Sequence, residues 1–515
     1  MTKVNGFFRI KCLLSILMIV FLVGCAGITN TQNAEEGGNK GNLDEQQALK
    51  VAFDQSINSL DPYGSANGEP STILASRQIF DTLVVNEDKE IKPSLAKEWE
   101  QPDPNTWVFH LEEGVTFHDG AALTSEDVKY SIEQQANSES SPLAVLWNEF
   151  KSVEATDEYT VEIKTNKPVG TMLSSLSLLF ITPKDSASED FYKKPIGSGP
   201  FSVDSFVSGQ ELKLSKNEEY WNGDVTLNKL EFVNIPETSS RLTALETGEI
   251  DLTWTIPADQ IDSLKNNKEI EVISNPSYLY YFNWFNSERE PFNDPRVRQA
   301  MIYAIDIDSI IDNLFGDTAD RLEAPIPKEV FGSSTMSAYE YNPEKAKELL
   351  KEAGYPDGFT TSMMWSNGGG PQILQLAETM ISDWAKIDVK VEAVQLERAE
   401  WIEKLTSLDW DMDLQTNSVI TGDADYTLGR LYTSAANRNG YKNDELDKIL
   451  QAAKETTDQD EREDLYDQAN DIIWNEAVGL FPLELNQVTA YRSHVKGFNQ
   501  SPADDPIFKD VYIEK

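Results

Sequence analysis

No cysteine follows Cys25 in this 515-residue chain, and this absence constrains the fold more than any motif does. The other cysteine, Cys12, precedes it. No disulfide can therefore form beyond Cys25, so that part of the chain has to be held together by buried apolar side chains. With 40% hydrophobic and 10% aromatic residues, the chain has enough material for two or more sizeable domains.

Residues 1–24 have the features of a secretory signal. Basic residues precede an apolar run from Leu13 to Val23, which leads into Gly24 and Cys25. The run is shorter than the about 20 residues that a membrane-spanning helix needs. The sequence Leu-Val-Gly-Cys resembles the bacterial lipoprotein box, in which the cysteine carries a lipid. We expect residues 1–24 to be a lipoprotein signal peptide and Cys25 to be lipidated; the alternative is an ordinary secreted protein with an incidental cysteine.

Residues 25–47 are rich in Gly, Asn, Gln and Glu and show no apolar periodicity, which predicts a flexible tether. After it, strand-like and helix-like patterns alternate to the end of the chain, which predicts a mixed α/β fold. A strand is predicted at residues 49–53. Helices are predicted from Pro295 and Pro343, after the capping residues Asp294 and Asn342, and over residues 444–454 and 459–476.

The chain is strongly acidic, with 44 Lys and Arg against 87 Asp and Glu and a formal net charge of -43. Phosphate backbones would repel such a chain, so nucleic-acid binding is not expected. Its three histidines leave little material for histidine-based catalysis or for a multi-histidine metal site.

The common motifs of enzymes are missing from the sequence: there is no G-x-S-x-G, no H-E-x-x-H, no Walker loop and no G-x-G-x-x-G after a strand. Gly368 to Gly370 lack the lysine of a phosphate loop and are interpreted as a place of close backbone approach. Asp409, Asp411 and Asp413 have calcium-loop spacing but lack its glycine and its final glutamate. We therefore expect no catalytic residue, no cofactor and no metal.

One segment resembles a known family. Residues 92–130 read KPSLAKEWEQPDPNTWVFHLEEGVTFHDGAALTSEDVKY, with a strand predicted around Trp107 and a helix cap formed by Thr124 and Asp127. This stretch resembles the signature of the peptide-type (family 5) extracellular solute-binding proteins of bacterial ABC importers. Further matches occur at residues 197–201, 220–221, 241–251 and 291–298, so the resemblance covers nearly all of the expected mature chain.

The resemblance implies the two-lobed α/β fold of periplasmic binding proteins, with an extra domain in the first lobe and a ligand cleft between the lobes. The first lobe would comprise residues 48–83, 197–270 and 487–515, the extra domain residues 84–196, and the second lobe residues 271–486. Closure of the lobes around the ligand would be the signal that the permease reads. The protein is expected to be a monomer.

The resemblance also implies where an amine would bind. The run from Thr421 to Leu428 falls where peptide binders of this family carry an acidic segment that holds the free amine of the ligand. Asp423 is the first candidate for this anchor and Asp425 the second, with Tyr426 beside them, because a charge-assisted contact suits an ammonium group. The alternative is a polar loop with a local turn.

The same comparison bears on the ligand. Asp-Ala-Asp stands where dipeptide binders usually have Asp-Pro-Asp, and Trp365, Ser366 and Asn367 agree better with the glutathione-binding subgroup. Dipeptide binders place an arginine in that region for the ligand carboxylate, whereas this sequence has none between Arg321 and Arg398. Arg398 is therefore a candidate carboxylate partner, the alternative being a surface arginine after a strand at 389–394.

Several aromatic residues could line the cleft or belong to the core instead. They are Trp254, Tyr280, Tyr281, Trp284 and Trp365.

The expected function is a lipid-anchored binding protein on the outer face of the membrane of a Gram-positive cell. It would deliver a small peptide, glutathione-like or a di- or oligopeptide, to the permease and ATPase of an importer. The alternatives are a surface receptor or adhesin on the same fold and a binder of another solute such as a metal chelate. An exported glycan hydrolase is a further alternative, which no carboxylate pair supports.

Overall fold

The computed structural model describes residues 43–87, 89–186 and 188–515. The predicted signal peptide, Cys25 and the first part of the predicted tether lie outside these residues. The strands are β1 (Ala48–Phe53), β2 (Val84–Glu87), β3 (Glu90–Pro93), β4 (Ala96–Asp103), β5 (Thr106–Leu111), β6 (Phe150–Asp157), β7 (Thr160–Thr165), β8 (Phe201–Val207), β9 (Glu211–Lys216), β10 (Lys229–Asn234), β11 (Leu252–Trp254), β12 (Ile270–Phe285), β13 (Ala319–Arg321), β14 (Thr360–Ser366), β15 (Lys390–Leu396), β16 (Met412–Ser418), β17 (Gly479–Arg492), β18 (Val495–Lys496) and β19 (Tyr512–Ile513). The helices are α1 (Pro70–Ile79), α2 (Ser125–Ala136), α3 (Met172–Leu176), α4 (Thr238–Thr247), α5 (Ala258–Lys265), α6 (Pro295–Tyr303), α7 (Ile307–Ile310), α8 (Pro343–Glu352), α9 (Ile373–Ala385), α10 (Arg398–Ser407), α11 (Leu428–Leu431), α12 (Asp444–Glu455) and α13 (Gln459–Asn475).

A large mixed sheet runs through the molecule in the order β15-β14-β16-β12-β17-β11-β1-β10-β9-β8. Strands β14 to β16 lie on one side of the long antiparallel pair β12 and β17, and strands β1 and β8 to β11 lie on the other. Each side has its own apolar core, built around Phe232 and Phe508 on the first side and around Trp365 and Trp384 on the second. The predicted α/β fold with two lobes is confirmed, and β12 and β17 are the strands that both lobes share.

A separate antiparallel sheet, with the order β4-β5-β7-β6, lies in the region where the extra domain is predicted. Helix α2 contributes Val128 and Ile132 to a core that also contains Trp107 and Phe109 of β5. A Thr124–Asp127 capping box begins this helix, as the sequence predicts.

The helices predicted from local signals are also present. The Asp294 side chain accepts a hydrogen bond from the Arg296 N–H at the start of α6, and Asn342 accepts one from Lys345 at the start of α8. Helices α12 and α13 occupy the two acidic segments predicted to be helical. No helix within the described ranges is long and apolar enough to cross a membrane.

The globular body begins earlier than the sequence indicates. The tether is predicted to extend to Gln47, but the backbone N–H of Asp44 donates to the Ile513 carbonyl at 2.9 Å and the Gln47 side chain donates to the same carbonyl at 2.8 Å. Residues 43–47 thus pair with β19 at the far end of the chain. Their polar composition gives no sign of this, because the partner is remote in sequence.

Some of the residues behind the family resemblance have a structural role. The buried carboxylate of Asp81 accepts hydrogen bonds from the Ser198 hydroxyl at 2.8 Å, the Tyr220 hydroxyl at 3.0 Å and the Trp221 indole at 2.9 Å. Burial raises the pKa of Asp81 despite these contacts. The network joins the end of α1 to the segment before β10, which explains why these motif residues identify the fold and do not mark a ligand site.

Candidate ligand-binding cleft

A cavity of about 680 Å³ lies between the two lobes. Strand β1 runs parallel to β11, and β14 runs parallel to β15. The chain segments that line the cavity follow the carboxyl ends of these strands, where ligands of open α/β sheets bind. The lining segments include residues 53–55 and 254–258 from the first lobe, residues 368–372 and Arg398 from the second, and residues 485–488 of β17.

The shared strands form part of the wall of this cleft. Ser277 and Leu279 of β12 line it together with residues 485–488 of β17. The Ser277 hydroxyl donates to the Leu485 carbonyl at 2.7 Å, at a point where the register between the two strands shifts. The cleft therefore contacts the segments that connect the lobes.

The first-lobe side of the cleft carries two carboxylates, Asp54 and Asp504. Burial, together with the negative charges of Asp505 and Asp54, raises the pKa of Asp504 to about 7, although a side-chain hydrogen bond with Gln487 acts in the opposite direction. The Oδ1 atom of Asp504 is buried without a hydrogen-bond partner. The neighbouring Asp505 differs, because it accepts a 2.8 Å contact from Arg77 and another hydrogen bond from Ser501.

The second-lobe side carries a cation and a glycine loop. Arg398 is exposed at the start of α10, and its guanidinium lies 5.9 Å from the centre of the Trp401 ring. Gly370 has a φ of 141°, and a Cβ atom there would lie 2.2 Å from the Tyr281 hydroxyl. The close approach predicted for the glycine run is therefore found at Gly370, where the Tyr281 hydroxyl donates to the Pro371 carbonyl at 2.8 Å.

Of the five aromatic residues considered for the cleft, Trp254 lines the cavity. The other four, Tyr280, Tyr281, Trp284 and Trp365, belong to the buried cores and do not line it. The sequence does not separate these cases, because strands of a sheet that is covered on both faces are apolar throughout.

Asp423 lies away from this cavity, in a buried ion pair. The Nη2 atom of Arg462 is 2.8 Å from Oδ1 and 2.9 Å from Oδ2 of Asp423, and the side chains are 1% and 7% exposed, respectively. Asp423 Oδ1 also accepts a hydrogen bond from the Asp425 N–H, and Oδ2 accepts one from the Ser174 hydroxyl at 3.3 Å. The carboxylate is thus fully engaged by protein groups in this conformation.

The space next to Asp423 is small. The cavity that contains Asp423, Ser174 and Arg462 has a volume of about 20 Å³. This is room for about one water molecule. A peptide could reach Asp423 only if the second lobe moved away from the segment around Ser174, so the amine-anchor role of Asp423 stays a prediction.

Asp425 and Tyr426 follow in a short turn of 3₁₀ helix, Ala424–Tyr426. Burial, together with the negative charge of Asp423, raises the pKa of Asp425 to about 6. The Oδ1 atom of Asp425 is buried without a hydrogen-bond partner. The Arg430 guanidinium lies 4.3 Å from the centre of the Tyr426 ring. Neither Asp425 nor Tyr426 lines the cavity between the lobes.

Trp365, Ser366 and Asn367 lie at the end of β14, directly before the glycine loop of the cleft. Trp365 is 1% and Ser366 3% exposed, so both are packed inside the second lobe. The Asn367 side chain donates to Glu397 at 3.3 Å. Of the predicted ligand-binding residues, the structure places Arg398 in the cleft, these three beside it, and Asp423, Asp425 and Tyr426 elsewhere.

The aspartates considered for calcium make protein contacts instead. Arg289 contacts Asp409 at 2.9 Å and Asp411 at 3.2 Å, and the Trp401 indole donates to Asp413 at 2.7 Å. In the part of the chain that the structure describes, no group of three or more side chains is arranged to hold a metal ion.

Another cavity, of about 710 Å³, lies on the four-stranded sheet and α2, where Lys129, Glu133 and Lys151 line it. The second lobe contributes no residue to it, so closure of the lobes would not enclose a ligand there. The cleft is therefore the better candidate site.

Sequence reasoning missed Asp54 and Asp504. Asp54 directly follows β1, and its position at the carboxyl end of a predicted strand was a usable signal. Asp504 lies in an irregular segment near the end of the chain. No local pattern marks it, because the fold alone brings this segment to the cleft.

Comparison with known proteins agrees with this architecture. Residues 90–439 match the family described as bacterial extracellular solute-binding proteins, family 5. The chain therefore belongs to this family, whose members are the substrate-binding components of ABC importers, and the predicted membership is confirmed.

Individual relatives cover nearly the whole chain. It is 30% identical to the glutathione-binding protein GsiB of Pectobacterium atrosepticum, over 90% of this chain and 93% of that protein. HbpA2 of Haemophilus parasuis superposes with a TM-score of 0.82 at 26% identity, covering 91% of this chain and 100% of the other. The periplasmic binding protein DppA of Helicobacter pylori, in complex with the peptide STSA, gives a TM-score of 0.74 at 30% identity, covering 91% and 98%.

Proposed function

We propose that this chain is a lipid-anchored binding protein that captures a small peptide with a free amino group and delivers it to the permease and ATPase of its importer. The ligand is glutathione-like or a di- or oligopeptide. The protein acts as a monomer on the outer face of the cell membrane and catalyses no reaction.

One observation carries the proposal: the two walls of the cleft carry acidic groups on one side and a basic group on the other. Asp54 and Asp504 lie on the first lobe, and Arg398 lies on the second. A peptide with a free ammonium group and a free carboxylate complements this arrangement. The volume of about 680 Å³ falls within the roughly 300–1,000 Å³ that is usual for small-molecule sites.

Two of the similar proteins support the same class of ligand, whereas another, of Haemophilus influenzae, is named as heme-binding. GsiB is named as glutathione-binding, and the Helicobacter pylori protein was solved with a peptide. Glutathione and STSA are both peptides, but glutathione has a γ-linked residue and a thiol. The binding screen therefore has to distinguish these two kinds of peptide.

The screen consists of calorimetry and thermal unfolding of the mature protein with glutathione, dialanine, trialanine and Ser-Thr-Ser-Ala. A ligand that binds only the folded state raises the unfolding temperature by mass action. We expect at least one of these peptides to bind in the micromolar range or tighter. The absence of any shift at millimolar concentration of all four would overturn the proposal.

The anchor rests on the sequence around Cys25 and has its own test. Mass spectrometry of protein extracted from the host membrane should show an N-terminal Cys25 carrying acyl chains. A Cys25→Ser variant should appear in the medium or in a soluble fraction. A C25S protein that stays with the membrane as firmly as the wild type would contradict the anchor.

A further inference from the structure

We infer that Asp504, assisted by Asp54, binds the ammonium group of the ligand on the first lobe, so that the amine is recognised there and not at Asp423. This inference rests on the proposed function, since it names the part of a peptide that one wall of the cleft recognises. The observations that carry it are the position of Asp504 in the cavity, its unpaired oxygen and its surroundings.

The first observation is a carboxyl group that is only partly satisfied: a side-chain hydrogen bond with Gln487 acts on it, but one of its oxygens has no partner. Asp504 lines the cavity, and its Oδ1 atom is buried without a hydrogen-bond partner. Buried polar groups are almost always paired, and an unpaired one in a cleft indicates a group that a ligand completes. An ammonium group, with three N–H donors and a positive charge, is the complementary ligand group.

The second observation is the contrast with neighbouring carboxylates. Asp505 pairs with Arg77, and Asp423 pairs with Arg462. Arg241 exerts an electrostatic attraction on Asp54. Neither Asp504 nor Asp54 takes part in an ion pair formed by the described residues, and of these two cleft carboxylates it is Asp504 that also has a buried oxygen without a hydrogen-bond partner.

The third observation is the backbone of Asp504, which has a φ of 61°. Left-handed conformations are uncommon for residues with a side chain, and they concentrate at ligand sites. The surrounding segment is tied down by the pair between Arg77 and Asp505. Asp504 is therefore held in this conformation by its neighbour.

The ionisable groups on the two walls of the cleft indicate the class of ligand. A metal ion does not fit, because no group of three or more metal-binding side chains occurs among the described residues. With Asp504 and Asp54 on one wall and Arg398 on the other, the cleft fits a molecule that carries an ammonium group at one end and a carboxylate at the other. A peptide with a free N-terminus has this pattern, and an N-acetylated peptide does not.

The test compares glutathione and Ser-Thr-Ser-Ala with their N-acetylated forms by calorimetry, on the wild type and on Asp504→Asn. Asp510→Asn is the matched control, because Asp510 is an exposed carboxylate on the same segment. We expect N-acetylation to weaken binding to the wild type by about 10- to 100-fold, and Asp504→Asn to weaken binding of the free peptide by a similar factor.

The double comparison decides the assignment. If Asp504 contacts the amine, N-acetylation should cost the Asp504→Asn variant much less than it costs the wild type. An equal loss on acetylation in both proteins would overturn the inference while leaving peptide binding intact. Failure of the wild type to bind any free peptide would instead overturn the proposed function. The effect of N-acetylation is also measured on the wild-type protein, so this part of the result does not depend on whether the Asp504→Asn variant folds.

Discussion

The Nη2 atom of Arg462 lies 2.8 Å from one carboxylate oxygen of Asp423 and 2.9 Å from the other, in surroundings that exclude solvent almost completely. The Tyr466 hydroxyl accepts a further hydrogen bond from the same nitrogen at 3.0 Å. Removing one partner of such a pair leaves the other charge buried without compensation. In this conformation the Asp423 carboxylate is therefore paired with a protein cation.

Asp423→Ala should therefore destabilise the folded protein by about 3–5 kcal/mol, because Arg462 would remain buried and unpaired. Urea denaturation would measure this loss. Asp464→Ala, at an exposed position of α13, should change stability by less than about 0.5 kcal/mol. Replacing both partners, as in D423A/R462M, should recover part of the loss. An Asp423→Ala protein of normal stability that no longer binds peptide would instead favour the predicted amine anchor.

Peptide binding should weaken as the pH falls below about 7. The pKa of Asp504 is raised to about 7 in the ligand-free protein, and a bound ammonium group would lower it. Below this pH the carboxyl group is protonated and has to release its proton before it can pair with the amine. The affinity should fall by at most about tenfold per pH unit.

Several charged groups influence the titration of Asp504, directly or through a neighbour. Asp505 and Asp54 act on Asp504 directly; Arg77 pairs with Asp505, Arg241 attracts Asp54, and Arg398 lines the same cavity. Calorimetry at pH 5.5 and pH 8, in buffers with different ionisation enthalpies, should detect proton release on binding at the lower pH. In Asp504→Asn this release should disappear. Its persistence would assign the titration to another group, such as Asp425, whose pKa is raised to about 6.

Arg398→Ala should weaken binding of peptides that have a free C-terminal carboxylate. The expected loss is about 10-fold or more, since a charged hydrogen bond at the cleft would be removed. Binding of the C-terminally amidated peptide should change little. Lys404→Ala is the matched control, because Lys404 is a cation on the same helix that pairs with Asp409 at 3.0 Å. An equal loss for both peptides would show that Arg398 acts through packing.

Gly370→Ala should disturb the glycine loop, because the new Cβ atom would lie 2.2 Å from the Tyr281 hydroxyl at a φ of 141°. We expect a destabilisation of about 1–3 kcal/mol together with weaker peptide binding. Gly368→Ala is the control, since its φ of 69° is also left-handed but no atom lies within 4 Å of the added Cβ. Thermal unfolding of the two variants, and of G370A/Y281F, separates the steric contact from the backbone strain. Equal stability of the two single variants would contradict the steric argument.

The sequence predicted those parts of the fold that depend on residues close together along the chain. Asp294 and Asn342 cap helices that begin one residue later, so their signals are local and unambiguous. The ion pair between Asp423 and Arg462 joins a loop to a helix 39 residues away. An acidic residue in a polar loop looks the same whether its partner is a ligand or a remote arginine.

The sequence also did not show which aromatic side chains are packed in a core and which line the cleft. Trp254 and Trp365 both follow strand-like patterns, yet the first lines the cleft and the second packs among residues of the second lobe. The contribution of Asp504 arises because the last segment of the chain returns to the first lobe. Arg398 could be predicted because the family resemblance implies an arginine for the ligand carboxylate, and the sequence has no other arginine between Arg321 and Arg398.

The shared strands β12 and β17 have a consequence for how a ligand acts on the lobes. Ser277 and residues 485–488 belong to the strands that connect the lobes and also form part of the cavity wall. A ligand in this cavity would contact the connecting strands directly, so its effect on the lobes would not require a relay through distant side chains. Ligand binding and the relative position of the lobes would then be coupled directly at these two strands.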